Sequence, residues 1–209
     1  MKLVGDGGQQ ARHYLYSLDG TIVAGGTPQL VLPQSPSRAM LILQNISNGP
    51  LFFEFGSARA KCTISGGVVN AITVTNAGFN FTKPPVVRFY GGGGGPDNNT
   101  AFLGGSLPGF PSPSNIALAH CVMTGAVPNL SVASITIDQG GSGYLCAPYV
   151  MLFDSDLDQN GCAVPSATSG LILPASSPPL ILNGTCCPTD PVAVFGATTG
   201  QGFVARWMG

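Results

Sequence analysis

A gapless internal repeat constrains the fold of this chain more than any other feature. Residues 69–90 and 132–153 align at an offset of 63, and each copy opens with an alternating strand centred on Ile-Thr-Val or Ile-Thr-Ile. In each copy a glycine, Gly78 or Gly141, is followed by an aromatic residue, a proline and a second apolar stretch. Period-2 alternation on both sides of a glycine turn predicts a strand-turn-strand unit that the chain makes twice.

The remaining sequence also favours strands over helices. The 209 residues include 30 glycines and 18 prolines, and inside a helix each glycine costs about 1 kcal/mol and each proline about 3 kcal/mol relative to alanine. Hydrophobic residues make up 44% of the chain, which is too many for a disordered protein. We therefore predict an all-β fold.

A hairpin pattern and four short strand patterns flank the repeats. We predict that residues 38–66 and 170–209 form a small β-sandwich or jelly-roll-like base, interrupted by an inserted repeat region at 67–169. A base of about 70 residues is marginally stable alone and gains from neighbours. Residues 1–37 have apolar stretches cut by glycine and proline, which indicates an extended N-terminal arm.

The charge content excludes several classes of function. Only 8% of the residues are charged, with 8 Lys and Arg against 9 Asp and Glu, whereas a soluble protein carries about 25%. The basic residues are scattered, which argues against binding nucleic acid. No apolar stretch is long enough for a membrane span, and residues 1–10 lack the apolar core of a signal peptide. A surface this poor in charge is expected to be covered by other protein.

Cysteine and histidine placement argues against metal and nucleophile chemistry. The six cysteines include no CxxC pair, and neither of the two histidines has ligand spacing from a cysteine. We expect free, mostly buried thiols in a protein made in a reducing cytoplasm. Four of the nine carboxylates (Asp138, Asp154, Asp156 and Asp158) fall close together, but no catalytic arrangement is apparent, and we predict that the chain is not an enzyme.

One stretch has calcium-loop spacing. Asp156, Asp158 and Asn160, followed by Gly161, match the first positions of the D-x-D-x-N-G pattern, in which alternate oxygens face a Ca²⁺ ion. The bidentate Glu expected at the twelfth position is replaced by Ala167. A Ca²⁺ site and a solvated turn both remain open readings of this stretch.

Several motifs resemble those of tailed-bacteriophage virion proteins. The segment ITIDQGGSGYLCAP at 135–148 resembles the "ITVTNGGSGYTSAP" β repeat of phage structural proteins, although the first copy has Phe-Asn-Phe at 79–81 in place of Ser-Gly-Tyr. SRAMLILQN at 37–45 and FEFG at 53–56 resemble the opening of small phage virion proteins. VFGATTGQGFVA at 194–205 resembles their ending.

The resemblance implies a non-enzymatic virion component that is assembled in the host cytoplasm. We expect a capsid decoration or cement protein that binds the major capsid protein and copies of itself as a homotrimer, without contacting nucleic acid or membrane. The alternative is a tail fibre, spike or collar component that binds a host receptor or glycan through the glycine-rich 91–115 loop and the turns at Gly78 and Gly141.

Six residues are predicted to contact these partners: three lie in the arm, and the other three are of the arginine and aromatic types that dominate protein interfaces. They are Tyr14, Leu15, Tyr16, Arg38, Arg206 and Trp207. For the aromatic members, ordinary core packing is the competing interpretation.

Overall fold

The computed structural model describes residues 15–92, 115–153, 161–165 and 170–209. These residues form fourteen strands and one short 3-10 turn, Gly184–Cys186, and confirm the predicted all-β fold. Within the described ranges, no helix is both long and apolar enough to cross a membrane. The strands are β1 Leu15–Thr21, β2 Gln29–Leu32, β3 Met40–Asn45, β4 Leu51–Phe55, β5 Arg59–Ser65, β6 Val68–Asn76, β7 Val86–Tyr90, β8 Leu118–Thr124, β9 Ser131–Gln139, β10 Tyr149–Phe153, β11 Leu171–Leu173, β12 Leu180–Asn183, β13 Val192–Gly196 and β14 Gly202–Met208.

Two four-stranded antiparallel sheets form a β-sandwich, which we call the base. Sheet A has the order β1-β14-β3-β12 and sheet B the order β11-β4-β13-β2. Their inner faces share one core, in which Phe53 of sheet B meets Phe203 of sheet A edge to face with ring centroids 6.2 Å apart. Both rings are fully buried, so alternating apolar residues of the two sheets hold the sandwich together.

The N-terminal region differs from the predicted arm. β1 pairs with β14 along its whole length, from Leu15 opposite Met208 to Thr21 opposite Gly202, and β2 pairs with β13. Ile22, Val31 and Leu32 are buried in the base core. The arm prediction is therefore wrong for residues 15–32, whose pairing partners lie at the far end of the chain. Residues 1–14 lie outside the described part.

The chain leaves the base after β4 and forms a six-stranded sheet of order β6-β5-β10-β7-β8-β9. Its two terminal strands approach each other again, because the Val69 N–H donates to the Gly140 carbonyl and the Val132 N–H to the Ala77 carbonyl, both at 2.9 Å. We call this nearly closed sheet the barrel. It begins at β5, so residues 59–65 belong to the inserted region and not, as predicted, to the base.

The barrel consists of two copies of one three-stranded unit. β6 begins at Val68 and β9 at Ser131, 63 residues later, and β7 and β10 show the same offset. If the strand order is reversed and β5, β6 and β7 are exchanged with β8, β9 and β10, the same order results. β5 and β8 even shift register at equivalent points, next to Ala60 and next to Ala119. The repeat seen in the sequence is therefore a pseudo-two-fold symmetry of the barrel, extended by one strand in each unit.

Equivalent residues of the two units line the barrel interior. The buried pairs are Cys62 and Cys121, Val69 and Val132, Ala58 and Ala117, Phe89 and Leu152, and Phe81 and Tyr144. Three of these five pairs are identical and the others are apolar or aromatic in both units. Neither unit can bury its inner face without the other, so barrel closure supplies the hydrophobic stabilisation of both.

The predicted glycine turns hold the aromatic residues that fill the barrel. Gly78 and Gly141 have backbone φ angles of +63° and +68°, which residues other than glycine rarely adopt. A Cβ atom at Gly141 would lie 2.8 Å from the Tyr144 ring, and one at Gly78 would lie 2.6 Å from the Phe81 ring. Both glycines therefore meet a backbone requirement and a packing requirement at once.

The structure predicts that Gly141→Ala destabilises the protein more than Gly26→Ala. Gly26 also has positive φ, but nothing lies within 4 Å of its would-be Cβ, so its replacement carries only the backbone cost of about 1 kcal/mol. Gly141→Ala adds an overpacking cost of about 1–3 kcal/mol. Denaturant unfolding of both variants measures the difference, and equal losses of stability would contradict the packing role of the turn.

Candidate interaction surface

On the outer face of sheet A, apolar side chains gather at the end of the sheet near Leu15 and Met208, beside the polar residues Ser17, Asp19, Gln44 and Asn183. Inward and outward positions alternate along β14: Phe203, Ala205 and Trp207 face the core, whereas Val204, Arg206 and Met208 face outwards. The cross-strand register places outward-facing residues of β1, β3 and β12 in the same rows as those of β14. We call the apolar part of this surface the base face, which comprises Leu15, Met40, Ile42, Ile181, Arg206 and Met208.

The base face is only partly shielded from water. Leu15 is 59% and Ile181 56% exposed at opposite edges of the sheet, and the positions between them are half-buried or, at Arg206, exposed. Antiparallel sheets commonly bury one face and present polar groups on the other, so apolar residues on both faces call for a second contact. Methionine, aliphatic residues and one arginine match the composition of protein interfaces.

Two predicted partner residues lie on the base face. Leu15 stands opposite Met208, and Arg206 stands between Ser17 and Ile42 in one cross-strand row. Arg206 has no carboxylate within 4 Å among the described residues. The structure therefore brings these two residues onto one surface, although the sequence analysis placed them in an arm and in the base.

Tyr16 and Trp207 point to the other side of sheet A. They are cross-strand partners whose rings stack with centroids 5.5 Å apart and an interplanar angle of 19°. Trp207 packs against the base core, while Tyr16 is 48% exposed at the edge of the sheet. Core packing, the competing interpretation, describes Trp207, and Tyr16 covers its ring.

Arg38 is not available to a partner. It is 4% exposed, and its guanidinium donates hydrogen bonds to the carbonyl oxygens of Pro33, Pro188 and Asp190 at 2.6 to 2.9 Å. Burial lowers the pKa of Arg38, with Cys187 and Asp190 opposing that effect. The buried Arg38 guanidinium thus links the loop at Pro33 to the loop at Pro188 and Asp190 by hydrogen bonds. The prediction that Arg38 contacts a partner is therefore wrong.

The other predicted sites fall largely outside the described residues. Tyr14 and the candidate Ca²⁺ ligands Asp156, Asp158 and Asn160 lie there, as does most of the 91–115 loop. Within the described ranges, no three His, Cys, Asp or Glu side chains are grouped closely enough to hold a metal ion.

The base face itself was missed at the sequence level, although β3 carries a signal for it. Its sequence MLILQN is apolar at four successive positions, and such a run is typical of a strand buried on both faces. The cross-strand partners of β3 are β14, about 160 residues later, and β12. Only the register shows that their outward residues form one surface.

None of the six cysteines forms a disulfide bond, and their burial separates them into two groups. Cys62, Cys121, Cys162 and Cys187 are buried, whereas Cys146 and Cys186 are exposed. Burial raises the pKa of Cys121 to about 11 and also raises that of Cys62. Since the thiolate is the reactive form, low access and a raised pKa both suppress the reactivity of these buried groups.

We predict that a thiol reagent at pH 8 modifies Cys146 and Cys186 rapidly and the four buried cysteines only after unfolding. A colorimetric thiol titration with peptide mapping measures both phases, and denaturant provides the control for the total of six. Rapid modification of Cys62 or Cys121 in the folded protein would show that the barrel interior is open to solvent.

Comparison with known proteins adds no family to this description. Scans against protein-family models, curated proteins and solved structures each found no match to the chain. The function must therefore be inferred from the chain's own residues and surfaces.

Proposed function

We propose that this chain is a non-enzymatic structural protein of a phage virion, and specifically a capsid decoration protein that stabilises the head shell. The base face carries the proposal, because it is an apolar sheet surface with a central arginine on a chain that is only 8% charged. The resemblance of several motifs to those of phage virion proteins supports the same assignment. The partners would be the major capsid protein and other copies of this chain, assembled in the host cytoplasm.

Apolar burial would supply the binding free energy. An interface of ordinary size buries about 800 Å² on each partner, and the apolar half of one side contributes roughly 10 kcal/mol before the cost of association. An exposed ion pair contributes at most about 1 kcal/mol, and this chain has few charges with which to build a network. A subunit that binds only the assembled shell adds its association free energy to the stability of that shell.

Contacts between copies would extend the same surface. β1 and β12 are the two edge strands of sheet A, and they expose Leu15 and Ile181 beside their free backbone groups. Edge strands with apolar side chains readily pair with other chains. We propose that these edges contribute to the homotrimer.

A second candidate function is that of a tail fibre, spike or collar component that recognises a host receptor or glycan. Exposed aromatic residues on the outside of the barrel favour it, with Tyr149 80% exposed. The two candidates differ in copy number, since a shell lattice repeats its binding site many times and a tail does not.

Quantitative densitometry of purified virions tests the proposal. We expect on the order of hundreds of copies per particle, because each symmetry-related shell position offers a site. Ile181→Asp, on the base face, should lower that number several-fold, since it places a charge in an apolar interface. Val23→Asp is the matched control, because Val23 is an exposed apolar residue outside that face. A wild-type number of a few to a few tens would contradict decoration in favour of a tail or collar part.

A further inference from the structure

The two units of the barrel have similar residues at equivalent interior positions and different residues at equivalent outer positions. Their interior positions carry matching apolar residues, as described above. On the outer surface, Tyr149 of one unit corresponds to Val86 of the other, and Lys61 corresponds to His120. Because the same backbone positions accept either residue, the barrel fold does not require the tyrosine or the lysine.

The distinguishing residues lie side by side. Tyr149 stands directly opposite Lys61 on one neighbouring strand and opposite Tyr90 on the other, so the three form one cross-strand row. Arg88 is two residues from Tyr90 and therefore diagonal to Tyr149. Directly opposite side chains have Cβ atoms about 5 Å apart and diagonal neighbours about 7–8 Å. We call Lys61, Arg88, Tyr90 and Tyr149 the cationic row.

The equivalent positions of the other unit carry a different chemistry. Val86, Phe153 and Met151 take the places of Tyr149, Tyr90 and Arg88. His120 takes the place of Lys61, but its Nδ1 lies 2.8 Å from a carboxylate oxygen of Asp138. At these four positions one unit thus has two phenols and two cations, whereas the other has three apolar residues and a histidine beside an acid.

The charges of the cationic row are unmatched within the described chain. Neither Lys61 nor Arg88 has a carboxylate within 4 Å there. The Tyr149 ring between them is 80% exposed, which is unusual for an aromatic side chain of this size. A ligand that places a flat apolar ring against Tyr149 and an anionic group between the two cations would complement the row.

We propose that the cationic row binds an anionic carbohydrate. A pyranose ring offers a flat C–H face for Tyr149 and a carboxylate or sulfate for Lys61 and Arg88. The Tyr90 ring packs against Phe153 with ring centroids 6.2 Å apart and borders the site. This binding activity does not rest on the decoration function and would add to it.

Binding of labelled oligosaccharides to the full-length protein tests the proposal. The probes are fluorescein-labelled hyaluronan for carboxylates, dextran sulfate for sulfates, and neutral dextran as the control. We expect binding to at least one anionic probe, none to neutral dextran, and weaker binding as salt is raised. Fluorescence anisotropy gives the dissociation constants.

Each variant replaces a row residue by the one at the equivalent position of the other unit. Tyr149→Val, Lys61→His and Arg88→Met should each raise the dissociation constant about tenfold, corresponding to about 1.4 kcal/mol. Lys83→Gln removes an exposed cation outside the row, and Val86→Ala trims the residue equivalent to Tyr149. Both controls should bind as the wild type does, and thermal melting verifies that every variant is folded.

Three results would overturn the proposal. Wild-type protein that binds neither anionic probe has no such site, and equal weakening by Lys83→Gln would reduce the binding to general charge attraction. Row variants that bind the anionic probes as tightly as the wild type would show that the row is not the site. If the wild type binds no glycan and the row variants lower copy number on virions, the row is a protein interface instead. A low wild-type copy number contradicts decoration alone and leaves the glycan result to be judged separately.

Discussion

Closure of the barrel by two equivalent units is the packing interaction on which the described architecture depends. The three strands of one unit do not form a sheet by themselves, because β7 pairs only with β10 and β8 of the other unit, and β10 only with β5 and β7. Each remaining two-stranded pair is marginal in water unless its apolar side is covered. The second unit supplies the cover, with Phe81 and Tyr144 filling equivalent positions. Once the interior is satisfied, the outer positions of the units are free to differ, and they do so at Lys61 and Tyr149.

Local signals predicted the strands and the positive-φ glycines of the barrel, but the two strands of each predicted strand-turn-strand unit do not pair: β6 and β7 lie three places apart in the sheet, as do β9 and β10. Gly141 and Tyr144 lie three residues apart in the sequence, so a glycine turn followed by an aromatic residue can be recognised without knowing any distant strand partner. The repeat even tolerates the departure in the first copy, because Asn80 adopts φ of +63° where the second copy has Gly143 at +83°. Asparagine is one of the few residues besides glycine that enters this region readily.

Pairing between distant segments was not predictable in the same way. β1 joins β14 across nearly the whole chain, and no local pattern in Leu15–Thr21 distinguishes a paired strand from an extended arm. β5 was assigned to the base because it follows the hairpin directly, but its pairing with β6 places it in the barrel. For the same reason, residue type alone predicts Arg38 as an interface residue, whereas the carbonyl groups of the distant Pro188 and Asp190, together with that of the nearby Pro33, hold it inside.

The low content of charged residues in the chain agrees with the apolar residues of the base face on the outer side of sheet A. The central claim is that this side is covered in an assembled virion, and methionine oxidation tests it most directly. Met40 and Met208 lie opposite each other on the base face, whereas Met151 lies on the barrel. Peroxide oxidation followed by mass spectrometry should show several-fold slower reaction of Met40 and Met208 in virions than in free protein, with Met151 as the internal reference. Equal oxidation rates of Met40 and Met208 in the two states would contradict the claim.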